Sequence, residues 1–147
     1  MKALAIGILV AIAMIFFAGS AFVRISPIQP VEWHIDPLAA EDPGQKGIKI
    51  ALRSSLPPED ALEKLNGIIL ASDDTEYLDG HLDELRFSYV SRSDVMGFPD
   101  VTTIQAYPGD DATTIVFLGR LRFGNNDLGT NRIRVLHWIN TFQNTQD

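Results

Sequence analysis

An uncharged apolar run near the N-terminus constrains this chain more than any other feature. From Ala3 to Val23 the sequence reads ALAIGILVAIAMIFFAGSAFV, with no charged side chain. A helix rises about 1.5 Å per residue, so this run spans roughly 30 Å, the thickness of the hydrocarbon core of a bilayer. We therefore expect residues 1–24 to form a transmembrane anchor.

A cleaved signal peptide is the alternative interpretation of the same segment. Lys2, the apolar run and the small residues from Ala18 to Ala21 resemble the three regions of such a peptide. The run exceeds the usual length of a signal-peptide apolar region, which favours the anchor. Because Lys2 precedes the run, the positive-inside rule predicts a cytoplasmic N-terminus and a domain on the far side of the membrane. We expect a bacterial inner-membrane protein with a periplasmic domain. Cleavage would give a free periplasmic form.

The remainder of the chain is acidic and contains no cysteine. Beyond Arg24, ten lysines and arginines stand against nineteen carboxylates. Such a surface repels the phosphates of nucleic acids, so we expect no nucleic-acid partner. The lack of cysteine excludes disulfides, thiolate nucleophiles and cysteine-based zinc sites.

Turn residues and hydrophobic periodicity divide the rest into a tether and one domain. Residues 25–46 contain four prolines, which predict an extended tether. Trp33 in this tether either lies at the lipid headgroups or packs on the domain. Residues 47–147 form the domain. Its predicted elements are strands at 47–54, 75–81, 85–91, 101–107 and 113–123, a helix opened by Pro57-Pro58, and a helix with Asp127 as N-cap that buries Leu128, Val135, Leu136, Ile139 and Phe142.

This order of elements predicts an α+β fold. Four consecutive strands with short connections form an antiparallel meander, and the first strand completes a sheet of about five strands. Helices segregated from the strands pack together on one face of such a sheet. The same order occurs in TATA-binding-protein-like and helix-grip folds, an analogy that carries no functional information.

The sequence contains no recognisable catalytic or metal-binding motif. His34, His81 and His137 lack the spacing of helical metal-ligand pairs, and no serine lies in a G-x-S-x-G elbow. We therefore predict no catalytic residue, no metal and no cofactor.

An arginine-rich stretch after the fifth predicted strand is the most informative polar feature. Arg120 and Arg122 should share the strand face of Val116 and Leu118. Arg132 lies in the first turn of the last helix, where a cation opposes the helix dipole unless a negative group compensates. Two interpretations stay open, a salt-bridge and capping network or an anion-binding cleft. The candidate residues are Arg92, Asp100, Arg120, Arg122, Asp127, Gly129, Asn131, Arg132 and Arg134.

Many of these residues also carry a family resemblance. The relevant motifs are Ser91-Arg92-Ser93, Gly97-Phe98-Pro99-Asp100-Val101, Arg122, Gly124, Asp127-Leu128-Gly129 and Asn131-Arg132-Ile133-Arg134-Val135. They resemble the signature of the bacterial and plastid family 1499 of domains of unknown function, and the segment Trp33 to Pro37 resembles the membrane-proximal stretch of its proteobacterial members. Leu118-Gly119 departs from the Arg-Ser pair usual in that family, and Asn125 stands where an aromatic residue is common. The resemblance implies no biochemical role.

The leading functional hypothesis is a non-enzymatic envelope protein, held in the membrane by residues 3–23, whose domain binds a partner protein or a small apolar or anionic ligand. One alternative is an accessory subunit of an inner-membrane complex that docks laterally through the small residues Gly7, Ala11 and Ala18 or Gly19. The other is an enzyme with a polar site. That site would use Arg92, Arg122, Asp127 and Arg132.

Overall fold

The computed structural model describes residues 2–145. The predicted start of the anchor at Met1 and the predicted end of the domain at Asp147 therefore lie outside the described residues. Its helices are α1 (Lys2–Ile25), α2 (Pro30–Trp33), α3 (Pro58–Leu70) and α4 (Thr130–Asn144), with short 3-10 turns at Gly44–Lys46 and Leu82–Glu84. Its strands are β1 (Gly47–Ser54), β2 (Thr75–His81), β3 (Arg86–Arg92), β4 (Pro99–Tyr107) and β5 (Thr113–Leu121).

Helix α1 is long and apolar enough to cross a membrane by its length and composition, which an N-terminal signal sequence also satisfies. Its side chains from Ala3 to Gly19 are exposed, and burial begins only at Ser20 and Val23. The apolar helix therefore projects from the domain and contacts it only through its C-terminal end.

The five strands form one antiparallel sheet in the order β1-β5-β4-β3-β2. Strands β2 to β5 make the predicted meander, and β1 lies at the edge beside β5. The predicted α+β fold with five strands is confirmed.

One face of the sheet, which we call the helix face, carries the apolar core. The register aligns Ile50 with Phe117 and Phe117 with Ile104, so alternate residues of three strands point to the same side. Helices α3 and α4 cover this side with Leu65 and Trp138, among others. Both helices therefore lie on one face, as predicted.

The opposite face is covered by residues 26–43, which we call the strap. Val90, Val101 and Leu118 point to this side and are almost completely buried. The four prolines predicted an extended tether at 25–46, whereas the structure has α2, turns and a 3-10 helix there. The strap lies against the sheet because polar side chains of the strands bind its backbone, a contact that proline spacing does not encode.

The start of α4 differs from the prediction. Its N-cap is Gly129, with φ +81°, and not Asp127. Asp127 still satisfies the helix start, since its carboxylate accepts from the backbone N–H of Gly129 at 2.9 Å and of Asn131 at 3.2 Å. Leu128 was expected on the buried face, but it precedes the helix and is exposed. Leu136 is only half-buried.

Candidate functional site

The loop between β3 and β4 joins the domain to the end of α1. Ser20 Oγ donates to the carbonyl of Met96 at 3.1 Å, and Arg24 Nη2 donates to the carbonyl of Asp94 at 3.5 Å. The loop can lie this close to Arg24 because residue 97 is glycine; a Cβ at this position would lie 2.7 Å from the Arg24 side chain. The loop therefore lies at the level of the last turns of α1.

The same loop borders a cavity of about 470 Å³. Phe98 and Phe123 form part of its wall, with ring centroids 6.2 Å apart. The lining is mostly apolar and includes a few charged groups. It consists of Ser93, Phe98, Asp100, Leu121, Phe123, Gly124, Asn126, Asp127, Leu128, Thr130 and Arg134.

Asp100 is one of two buried acids that line this cavity, with 8% of its side chain exposed. Its Oδ2 accepts from Asn131 Nδ2 at 3.2 Å and from Arg134 Nη1 at 3.4 Å. Its Oδ1 is also buried and has no hydrogen-bond partner among residues 2–145. Burial raises the pKa of Asp100 above its ordinary value, and the guanidinium of Arg134 opposes that shift only in part.

Asn131 and Arg134 connect this acid to α4. Asn131 is fully buried, and its Oδ1 accepts from Arg134 Nη1 at 3.2 Å. Arg134 Nη2 lies 3.7 Å from Asp74 Oδ2, which extends the pairing to the start of β2. Gly119 packs closely against this amide, since a Cβ there would lie 3.1 Å from Asn131 Oδ1. Asp100, Asp127, Gly129, Asn131 and Arg134 therefore form one network on the helix face.

The remaining candidate arginines do not join this network. Arg120 and Arg122 lie on the strap side, where Arg122 donates to the carbonyls of Ser26 and Pro27 at 2.9 and 2.7 Å. Arg120 donates to the carbonyl of Trp33 and stacks on the Trp33 ring, with 4.8 Å from its guanidinium carbon to the ring centroid.

The other two arginines lie elsewhere. Arg92 pairs with Glu76 at 3.3 Å, and Arg132 is exposed without a side-chain hydrogen bond or ion pair within residues 2–145. A negative group that would offset Arg132 at the start of α4 is therefore not among its described contacts. Arg92, Arg120, Arg122 and Arg132 do not converge on a common cleft.

Two polar groups of the strap were missed by sequence reasoning. His34 Nδ1 lies 2.9 Å from Ser88 Oγ, and His34 Nε2 lies 3.1 Å from Glu84 Oε2. This resembles the nucleophile, base and carboxylate of a hydrolase, but Ser88 is fully buried and 2.8 Å from Thr103 Oγ1. The trio locks the strap to the sheet. No local spacing indicates it, because fifty residues separate His34 from Glu84.

Asp36 is the second missed group. Its carboxylate accepts a short hydrogen bond from Tyr107 Oη and a bond from the backbone N–H of Leu38 at 2.8 Å. The Tyr107 hydrogen bond lowers the pKa of Asp36. Burial, followed by that hydrogen bond, raises the pKa of Tyr107 to about 12. Aspartate side chains often close a turn by accepting from the backbone N–H two residues later, so the sequence does indicate a turn at Asp36.

Within residues 2–145, no group of three or more histidines, aspartates and glutamates is arranged to hold a metal ion.

Comparisons with known proteins give a family. The model of the family described as "Protein of unknown function (DUF1499)" matches residues 26–142. The chain is similar to the crystal structure of protein MLL2253 from Mesorhizobium loti, with a TM-score of 0.47 and 13% identity over 67% of this chain and 98% of that one. No curated protein matches the chain.

Proposed function

Since the chain belongs to the family of proteins of unknown function DUF1499, we propose that it is a single-pass protein of the bacterial inner membrane, with a cytoplasmic N-terminus. Its periplasmic domain has a binding or structural role and no catalytic one. The family match begins at residue 26, so it includes the strap but not α1.

The observation that carries this proposal is the direct attachment of α1 to the domain. Ser20 and Arg24 contact the loop between β3 and β4, and Arg122 binds the strap residues that follow the helix at once. The C-terminal end of α1 is therefore attached directly to the domain. A domain released to act freely in solution has no use for such contacts, whereas one that acts at the membrane surface does.

These contacts also favour the uncleaved anchor over the signal peptide. Cleavage before Phe22 would remove Ser20 and its hydrogen bond to Met96, and would expose Val23 at a new N-terminus. The exposed apolar side chains from Ala3 to Gly19 need a cover, and a bilayer provides one along their whole length.

The polar clusters support a non-enzymatic role. The serine of the His34–Ser88–Glu84 trio is sealed beneath the strap, so a substrate cannot reach it. Arg120 and Arg122 bind the strap and Arg92 binds a neighbouring acid, whereas Arg132 is exposed elsewhere, so these four arginines do not form an open constellation.

The accessory-subunit alternative rests on the small residues of α1. A Cβ placed on Gly7 or Gly19 would meet nothing within 4 Å, so another helix can approach there closely. A membrane protein that co-elutes in fixed stoichiometry would favour this alternative.

The test uses the full chain with a C-terminal tag, purified from native membranes. We expect resistance to alkaline carbonate extraction, an intact mass that includes α1, and a tag that protease reaches only from the periplasmic side. A mass beginning near Phe22 in the soluble periplasmic fraction would overturn the proposal.

Two substitutions give a matched control for membrane retention. Ile12→Arg places a charge at the middle of α1, where insertion is disfavoured by about 3 kcal/mol, and it should reduce retention. Val31→Arg places the same charge on an exposed strap residue beyond the span and should leave retention unchanged. Equal retention of both variants would contradict a transmembrane α1.

A further inference from the structure

The loop between β3 and β4, residues 93–98, contacts α1 within its apolar run. Ser20 Oγ donates to the carbonyl of Met96 at 3.1 Å, and Ser20 lies before Val23, the last residue of the run. At a rise of about 1.5 Å per residue, Ser20 lies about 4.5 Å before the end of the run along the helix axis. The carbonyl of Met96 lies beside it, so the loop reaches the level of the last apolar turn.

Several backbone polar groups of this loop are paired within the loop or with α1. The N–H of Ser93 donates to the Phe98 carbonyl at 3.0 Å, and the N–H of Gly97 donates to the Ser93 carbonyl at 2.8 Å. Ser93 Oγ accepts from the N–H of Phe98 at 3.0 Å, and Arg24 Nη2 donates to the Asp94 carbonyl at 3.5 Å. Backbone groups that already have partners lose little when they leave water, so this part of the loop can approach a bilayer at low cost.

The loop exposes apolar side chains at two positions. Val95 is 73% exposed and Phe98 is 37% exposed. Moving apolar surface out of water is favourable, and a bilayer surface offers that environment. Asp94 is exposed as well, and its charge is disfavoured in the hydrocarbon core. The loop can therefore enter the bilayer surface only to the depth at which Asp94 remains among the headgroups.

The loop lies at one end of the sheet, which makes the other end a reference. Arg92 at the end of β3 pairs with Pro99 at the start of β4, and the loop connects them. Tyr107 lies at the opposite end of β4, about 26 Å away, since a strand rises about 3.3 Å per residue. The N–H of Leu38 donates to Tyr107 Oη at 3.1 Å, and Leu38 is 59% exposed. Leu38 is therefore an exposed apolar residue far from the loop.

We propose that residues 93–98 form a second membrane contact beside α1. Val95 and the exposed part of Phe98 enter the surface of the bilayer, and the carboxylate of Asp94 stays among the headgroups. Lipid is the occupant because the loop is bonded to a residue of the apolar run, and a membrane-spanning helix is surrounded by lipid at that level. This inference rests on the proposed transmembrane α1 and adds a second point at which the domain touches the bilayer.

The test labels single cysteines, which is straightforward because the chain contains none. Val95→Cys, Leu38→Cys and Ile12→Cys are each made in the full chain, coupled to nitrobenzoxadiazole and reconstituted in phosphatidylcholine nanodiscs. Fluorescence quenching is measured with nitroxide lipids, labelled at a shallow or a deep acyl position, and with iodide in the water. We expect the reporter at position 95 to be quenched by the shallow nitroxide and shielded from iodide. The reporter at position 38 should show the reverse, and the reporter at position 12 should be quenched by the deep nitroxide.

A second measurement tests whether α1 holds the loop at this depth. In the Val95→Cys chain, Gly97→Ala places a Cβ 2.7 Å from the Arg24 side chain and should lower quenching by the shallow nitroxide. Gly44→Ala is the matched control. Gly44 has a φ of +57°, comparable with +71° at Gly97, but a Cβ there would meet no atom within 4 Å, so quenching at position 95 should not change. Unchanged quenching in both variants would overturn the role of α1 in holding the loop.

Three outcomes would overturn the loop contact while the reporter at position 12 still shows a membrane span. They are quenching at position 95 by iodide and not by lipid, equal lipid quenching at positions 95 and 38, and shielding of position 95 from both quenchers. The last outcome would show that protein, such as a second copy of the chain, covers the loop. Quenching at position 12 by iodide would instead overturn the transmembrane α1 itself.

Discussion

The two faces of the sheet are held by different kinds of interaction. On the helix face, α3 and α4 bury a continuous apolar cluster that includes Phe117 and Trp138. On the strap side, arginine, histidine and lysine side chains bind backbone carbonyls or single polar groups of a segment with little secondary structure. Apolar burial tolerates small shifts, whereas each strap contact depends on one donor and one acceptor. The helix face should therefore determine global stability, and the strap side should determine where the domain stands on α1.

The largest expected effect is the loss of an aromatic side chain from the helix face. Phe117→Ala should lower the free energy of unfolding by about 3–5 kcal/mol, since the ring is fully buried at the centre of the sheet. Urea unfolding monitored by circular dichroism measures it. A loss below about 1 kcal/mol would mean that the helix face does not control global stability.

A smaller and more local effect is expected on the strap side. Arg120→Ala removes the donor to the Trp33 carbonyl and the stacking on its ring, and should cost about 1–3 kcal/mol. Hydrogen exchange should accelerate in residues 26–40 and not in α3 or α4. Arg53→Ala, at an exposed position of β1, is the control and should change neither. Uniform acceleration across the domain would contradict a separable strap.

The two faces should respond to pH with opposite sign. The raised pKa of Asp100 means that the native state holds its proton longer than the unfolded chain. Its contribution to stability therefore falls as pH rises from the ordinary value through the folded pKa. The lowered pKa of Asp36 gives a contribution that is present above the ordinary value and is lost as pH falls through the folded pKa.

Unfolding of Asp100→Asn and Asp36→Asn across about pH 3–6 measures these two contributions. As the pH rises, wild type should lose the stability that the protonated Asp100 contributes, and Asp100→Asn should not show this loss. As the pH falls, wild type should lose the stability that the ionised Asp36 contributes, and Asp36→Asn should not show this loss. The same direction in both variants would show that the environments of the two acids do not differ as described.

The smallest effect is expected at Arg132. It is exposed and makes no side-chain hydrogen bond or ion pair among the described residues, so Arg132→Ala should change stability by less than about 0.5 kcal/mol. If the first turn of α4 is repelled by this cation, the sign should be stabilising. A loss above about 1 kcal/mol would point to a partner outside residues 2–145.

The periodicity of the sequence was enough to predict the elements of the helix face. Alternation in β1 and helical spacing in α3 identified residues that the structure buries, such as Ile48 and Leu65. It was less reliable where a turn decides the outcome, as at Leu128, which takes φ +53° before α4 begins and points away from the core.

The candidate site was predicted only in part. Sequence reasoning named Asp100, Asn131 and Arg134, which the structure joins, but grouped with them arginines that lie on the other side of the sheet. Strand alternation could place Arg120 with Leu118. It could not show what would cover that face, because the cover comes from a segment more than eighty residues away in the chain.

The sequence by itself determined the apolar helix, the acidic cysteine-free domain, the family and the order of strands and helices. These follow from local composition and periodicity, which act over a few residues. Only the tertiary structure decided that the strap binds the sheet, that His34 meets Ser88, and that a cavity ends at Asp100 beside the loop that holds α1. Each of these depends on distant segments meeting in space, and no local pattern specifies which donor will meet which acceptor.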